Sequence, residues 1–390
     1  MIKLFILFLM LSICLLMTAQ HKKPNINIID THNDVMSMQI LTGANLATSQ
    51  PELNFDLVKA AKGNLVAQVF SVWCDEKYTR EKAFAQAIRE IDSLLSLIER
   101  NPDKITLVTN SKALKKALRQ QKFAAMIGVE GGHMIAERMD LLDSLINRGM
   151  KYLTLTWNNS TTWATSARDE ETKKDSLPQL GLTAMGREIV KKLNDEGVMV
   201  DVSHVGEKTF SDVIAVTSKP VIASHSCAWS LNSHRRNLKD DQLKAIKKNG
   251  GVVFVNFYSG FLDSSYENKR NGFLTRHQPA FDSLQIILGN PDLAIIRLFA
   301  LYPREADSLR PPLSTLVQHI DYIAKLIGVD HVGIGSDFDG AESFPRQMND
   351  VSCYPLLIAE LKNTGYSNAD IKKIAGGNFI RVLKANEKKW

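Results

Sequence analysis

"VMVDVSH" (residues 198–204) and "PVIASHS" (220–226) are two short apolar runs, and each closes on a histidine. Nearly continuous aliphatic residues of this kind suit strands buried on both faces, as in a parallel sheet. The same design recurs along the chain. "INIID" (26–30), "LVAQVFSVW" (65–73), "AAMIGVE" (124–130), "KYLTLTW" (151–157), "GGVVFVNFY" (250–258) and "HVGIGSD" (331–337) bring the runs to eight. Amphipathic segments lie between them, among them "REKAFAQAIREIDSLLSLIER" (80–100), "ERMDLLDSLINRG" (137–149), "LTAMGREIVKKLNDEG" (182–197) and "TLVQHIDYIAKLIG" (315–328). Three of these four end on glycine, a helix C-terminal signal. Eight strands alternating with helices predict an α/β chain folded as a single (β/α)8 TIM-type barrel. An open doubly wound sheet is the alternative, but no Gly-rich dinucleotide loop follows the first run. Residues 259–313 are too long for a plain connection. They predict an insertion between strands seven and eight, helical around "SLQIILG" and "LAIIRLFAL".

The remaining features bound the class of protein. At 390 residues, 44% hydrophobic and 23% charged, the chain is an ordinary globular one, without repeats or low-complexity tracts. Its net charge of +6 is dispersed, with no basic stripe or nucleic-acid motif, so no nucleic-acid partner is expected. Lys3 followed by the apolar residues 4–17 and by Thr18, Ala19 and Gln20 reads as a secretory signal over 1–19, because the run is shorter than the ~20 residues that span a bilayer. The expected folded body is then 20–390, exported to a periplasmic or extracellular space, with an uncleaved anchor as the alternative. Ile13 before Cys14 does not suit a lipoprotein signal, and the C-terminus "KANEKKW" has no apolar tail, so no lipid anchor is expected. Cys74, Cys227 and Cys353 can form at most one bridge.

The polar residues at the run ends carry the chemistry. His32 and Asp34 follow the first run, Glu130 ends the third, His204 the fifth, His225 the sixth and Asp337 the eighth. In a (β/α)8 barrel the C-terminal strand ends share one face, where catalytic groups sit. Any single one has a plain explanation as a solvated or hydrogen-bonded strand-end residue. Together they bring three imidazoles and three carboxylates into one mouth, and buried carboxylates in such number call for a cation. Five nitrogen and oxygen ligands exceed what one open zinc site takes. They suit two metals with one carboxylate between them, and Glu130 stands between the first-strand pair and the later histidines.

The motifs "DTHND", "EGGH", "YLTLTWN", "DVSHV", "SHSCAWSLNSHRRN", "VGIGSDFDG" and "GGNFIRVL", in this order, resemble the renal (membrane) dipeptidases, zinc-dependent exopeptidases of the amidohydrolase barrel type. The resemblance spans nearly the whole chain beyond residue 19. It implies two Zn2+ per chain, with His32 and Asp34 on one ion, His204 and His225 on the other, and Glu130 bridging. It implies further that Arg236 holds the carboxylate of a dipeptide substrate and that Asp337 transfers a proton while a metal-bridging hydroxide attacks. The resemblance adds tolerance of a D-residue at the C-terminal position of the substrate and, in some members, dehydropeptide or β-lactam hydrolysis. Homodimerisation stays open. One position departs from the pattern: the best-known members carry a substrate-positioning histidine where "YLTLTWNN" has Trp157, which is taken as a substrate-binding residue by its place. The rival readings are another binuclear amidohydrolase acting on a cyclic amide or ester, and a metal-bearing periplasmic binding protein without turnover. Asp34 opposes the first, since most such barrels use His-x-His there.

Overall fold

The computed structural model describes residues 26–388, so the expected signal at 1–19 lies outside the described residues. Nine parallel strands form one sheet: β1 (Ile28–Asp30), β2 (Leu65–Trp73), β3 (Ile105–Leu107), β4 (Phe123–Glu130), β5 (Met150–Thr154), β6 (Met199–Asp201), β7 (Ile222–Ala223), β8 (Val252–Val255) and β9 (Val332–Ile334). Their order is β1-β2-β4-β5-β6-β7-β8-β9, with β3 paired to β4 outside this path. The path bends round into a nearly closed barrel of eight strands. At the seam the Thr31 N–H donates to the Ile334 carbonyl (3.1 Å) and the Asp337 N–H to that of His32 (3.1 Å).

Each of the eight expected runs holds a barrel strand, most of them shorter than the run. The additional strand β3 was not expected. Its three residues, "ITL", are too few to show a period, and only their pairing to β4 makes them a strand.

The helices bury one stripe each. In Glu81–Arg100 the fully buried residues include Ala83, Ala87, Ile91 and Leu94, spaced at three and four. The helix Ala184–Glu196 starts where the Thr183 hydroxyl accepts from the Gly186 N–H (3.1 Å) and stops at Gly197, whose φ is +69°. The barrel interior is filled by Ile29, Val69, Met126, Tyr152, Met199, Ile222 and Phe254, joined by Phe379, Val382 and Leu383 of the closing helix Asn378–Asn386. Asn378 in that helix donates to the carbonyls of Val329 and Val332, at the start of β9. The closing helix therefore plugs the end of the barrel where strands begin. The opposite end stays open for chemistry.

Residues 259–313 form the expected insertion, between β8 and β9, which are the seventh and eighth strands of the barrel. Five helices, Ser259–Leu262, Tyr266–Arg276, Gln278–Leu288, Pro291–Leu301 and Pro303–Leu309, gather around a small core of Tyr266, Phe273, Leu298 and Leu309. The three cysteines of the described residues are free thiols. No helix among these residues is long and apolar enough to cross a membrane.

Candidate metal centre

His32, Glu130, His204, His225 and Asp337 lie at or within a few residues of the C-terminal ends of β1, β4, β6, β7 and β9. Asp34 occupies the cap position of the helix Val35–Thr42. The structure brings all six together. His32 Nε2 stands 3.4 Å from Asp34 Oδ2, 3.4 Å from Glu130 Oε2 and 3.9 Å from Asp337 Oδ1. The other Glu130 oxygen, Oε1, lies 2.8 Å from His204 Nε2 and 3.4 Å from His225 Nε2. The two oxygens of Glu130 thus face two separate donor sets.

Backbone geometry contributes to the convergence. His204 and Asp337 have φ of +65° and +64°, a left-handed conformation that turns each chain sharply after its strand. The His32–Asp34 pair owes less to strand alternation than the i, i+2 spacing implies, because β1 ends at Asp30 and Asp34 already opens a helix.

Neighbouring groups fix the rings. His32 Nδ1 is 2.8 Å from the Tyr152 hydroxyl, and His225 Nδ1 is 2.7 Å from Ser224 Oγ, which in turn donates to Asp201 Oδ2 (2.6 Å). Such contacts at Nδ1 leave Nε2 to point inward, as in histidines that bind metals. Tyr152 needs room, and Gly128 supplies it: a Cβ there would come within 2.0 Å of the Tyr152 ring. Two buried aspartates tie the strand ends to one another. Asp30 accepts from the backbone N–H groups of His32 and Ser336 and from the hydroxyls of Ser336 and Tyr354. Asp201 accepts from the N–H groups of Ser203 and Ser224 and from the Thr154 hydroxyl.

The charges fit a cation. Burial, followed by the charge of Arg236, lowers His204 to about 3. Burial, followed by His32, holds His225 well below its ordinary value. Both rings are therefore neutral, the form that binds a metal. Burial opposes charge on His32, yet Tyr152, Glu130 and Asp34 outweigh it and raise the ring well above 6.5. Burial would raise Glu130, but His32, His204 and His225 hold it well below 4.5. His32 Nε2 and Asp34 Oδ1 are buried without a hydrogen-bond partner, and the facing His204 and His225 Nε2 atoms are only 3.0 Å apart. Bare nitrogens aimed at one another beside carboxylate oxygens suit metal ions between them. The donor set of imidazole and carboxylate is one that zinc accepts.

Arg236 is buried beside this cluster. Its Nη2 donates to the His225 carbonyl (3.3 Å), its guanidinium lies 5.3 Å from the centroid of the Phe261 ring, and Nε has no partner. Burial, only partly offset by Glu130, Asp337 and Asp201, lowers it to about 10. Asp337 Oδ2 accepts from Asn256 Nδ2 (2.8 Å), and burial followed by the charge of Asp34 raises its carboxyl well above the usual range. Trp157 lines the same cavity, edge-on to Trp73 with ring centroids 5.0 Å apart and 6.4 Å from the His204 ring. His133 and Asp339 turn to backbone groups, of Cys74 and Asn54 respectively.

Residues 18–389 match the model of the membrane dipeptidase family, peptidase family M19. The chain belongs to the membrane dipeptidase family. It is accordingly a metallo-dipeptidase. Among solved structures, the probable dipeptidase PvdM from Pseudomonas aeruginosa is 26% identical, with a TM-score of 0.77 over 93% of this chain and 96% of that one. The metallopeptidase described as dipeptidase AC is 23% identical, with a TM-score of 0.76 over 94% and 100%. A Rhodobacter sphaeroides metallopeptidase, liganded with a phosphinate mimic of L-Ala-D-Ala, is 22% identical, with a TM-score of 0.76 over 93% and 99%.

Sequence reasoning missed the residues that hold this dipeptidase's ligands in place. Tyr152, Ser224, Asp30 and Asp201 all lie in or beside the apolar runs. An ionisable residue closing an otherwise apolar strand, as in "IID" and "VMVD", was the signal available for the two aspartates.

Proposed function

We propose that the protein is an exported dipeptidase that works with two zinc ions, and that it accepts a D-residue at the C-terminal position of the substrate. The observation that carries this reading is Glu130, whose Oε2 faces His32 while its Oε1 faces His204 and His225. His32, Asp34 and one Glu130 oxygen would hold one ion; His204, His225 and the other oxygen would hold the second. When bound, such a pair supplies Lewis acidity, making a nearby water more acidic and polarising a carbonyl oxygen.

The chain's own groups do the rest. Arg236, buried and without a carboxylate partner among the described residues, receives the substrate carboxylate, for which a planar guanidinium is suited. Asp337, steadied by Asn256, takes a proton from water as its oxygen bonds to the carbonyl carbon. It gives that proton to the leaving amine as the C–N bond breaks. Trp157 and Trp73 wall the cavity. The phosphinate mimic of L-Ala-D-Ala in the Rhodobacter neighbour supports the D-residue, and the basic-then-apolar N-terminus supports export.

The test joins metal analysis to an assay. Purified protein should hold close to two zinc equivalents per chain, and it should hydrolyse both L,L and L,D dipeptides. Glu130→Gln should lose metal as well as rate. Full activity with a single equivalent would refute the binuclear reading.

A further inference from the structure

The cavity over the candidate metal centre encloses about 360 Å³ and has two unlike ends. On one side it shares His204 and Arg236 with a neighbouring cavity. On the other it shares Met38, Ile296, Asp339, Ala341 and Glu342 with a third. Arg236 therefore stands at one end, and Met38 and Ile296 stand at the other. Leu41 and Leu293 also line this cavity. Met38 and Leu41 come from the helix after β1, while Leu293 and Ile296 come from the insertion helix Pro291–Leu301. That helix anchors itself by burying Ala294 and Leu298 completely, which leaves Leu293 and Ile296 placed on the cavity wall.

The electrostatic polarity runs the same way. At the Arg236 end sits an unpaired buried guanidinium. At the apolar end Asp339 uses Oδ1 to accept from the Asn54 N–H (2.7 Å), while its Oδ2 is buried without a partner. A dipeptide is a zwitterion. With its carboxylate on Arg236, its ammonium and its N-terminal side chain would extend toward the end that holds Asp339, Met38 and Ile296.

We infer that Met38, Leu41, Leu293 and Ile296 form an apolar subsite that selects dipeptides with a large aliphatic or aromatic N-terminal residue. The inference rests on the dipeptidase reading and deepens it by naming the substrate class. Burial of a leucine-sized side chain in such a subsite discriminates by about 10–100-fold against a small polar one.

The experiment compares kcat/KM for Leu-Ala, Phe-Ala, Ala-Ala and Ser-Ala on the zinc-loaded enzyme, with Ala-Leu and Ala-Ser as the reversed pair. Calorimetric affinities of the matching phosphinate analogues provide a readout separate from turnover. Leu-Ala should exceed Ser-Ala by at least about tenfold, in rate and in analogue affinity. Ile296→Asp should collapse that ratio toward one. Leu41→Ser, at a site already 57% exposed, should lower it in a variant that keeps its packing. Turnover of Ala-Ala with a flat N-terminal preference, or with discrimination only in the reversed pair, overturns the subsite alone. Absence of turnover on every dipeptide overturns the parent reading, and the subsite with it.

Discussion

Arg236→Met removes the guanidinium of a residue that is 5% exposed and forms no ion pair with a carboxylate among the described residues. The fall of its pKa from 12.5 to about 10 corresponds to roughly 3 kcal/mol of uncompensated burial. A substrate carboxylate would relieve that cost, and losing a buried charge-assisted contact typically removes about 2–5 kcal/mol of binding. The variant should therefore lose roughly 30-fold or more in kcat/KM on free dipeptides. C-terminal amides of the same dipeptides, which bring no anion, should lose far less. Folding stability should move the other way or stay level, because an unpaired buried charge gives way to an apolar side chain of similar length. The lost bond to the His225 carbonyl and the lost contact with Phe261 offset part of that gain, leaving a change within about 1 kcal/mol. Steady-state kinetics on paired dipeptides and amides, with denaturant melts of the same samples, measure both quantities. Equal kinetic losses on the two substrate types, or a stability loss of several kcal/mol, would refute the reasoning and make Arg236 a structural residue.

Ser224→Ala cuts the link between His225 Nδ1 and Asp201, and zinc affinity measured by chelator competition should fall about 10–100-fold while the fold persists; unchanged affinity would show that the hydroxyl does not orient the ring. Glu90, buried and accepting from the Trp73 N–H and from Gln86, is raised by burial to about 8. Its folded pKa lies above the unfolded value, so its favourable contribution is whole below about pH 4.5 and is lost as pH rises to 8, by roughly 4–5 kcal/mol at most. Glu90→Gln should flatten that slope in melts of chelated protein between pH 5 and pH 8, and an unaltered slope would assign it to other groups.

The barrel was legible because its strands are buried on both faces. "LVAQVFSVW" and "AAMIGVE" could not be solvated on either side, and their recurrence with amphipathic segments between them pointed to one closed architecture. The ligand candidates were legible for a related reason: a histidine or carboxylate closing such a run has only the strand-end face to occupy. Contacts made through the third dimension were not legible. Nothing in the local sequence of Tyr152 says that its hydroxyl reaches His32, 120 residues away. The opening left for it at Gly128 shows only once β4 and β5 lie side by side. The insertion was visible as an excess of chain, but its contribution to the cavity wall depends on which side of Pro291–Leu301 faces the core of the insertion, and that core is built from three separate helices.

Asp30 and Asp201 show why the metal ligands and the barrel cannot be treated as separate problems. Each is fully buried, and an isolated carboxylate there would be costly. Each meets that cost with backbone N–H and hydroxyl donors drawn from the loop after its own strand and from a neighbouring strand end, and Asp30 also accepts from the Tyr354 hydroxyl of the helix Tyr354–Asn363. Asp30 thereby fixes His32 relative to Ser336, next to Asp337. Asp201 fixes Ser203, next to His204, relative to Ser224, next to His225. The same bonds that bind neighbouring strand ends together therefore set the spacing of the groups that face Glu130. A short chain segment with a positive φ, as at His204 and Asp337, is ordinarily a weak point. Here the residue before each of them is held by a buried strand-end aspartate, Asp201 of its own strand for His204 and Asp30 of β1 for Asp337, so each turn is supported just before the side chain that faces the site. Removing either aspartate would loosen two ligand-bearing loops at once, which makes the loss of metal and the loss of fold inseparable at those positions and separable at Ser224.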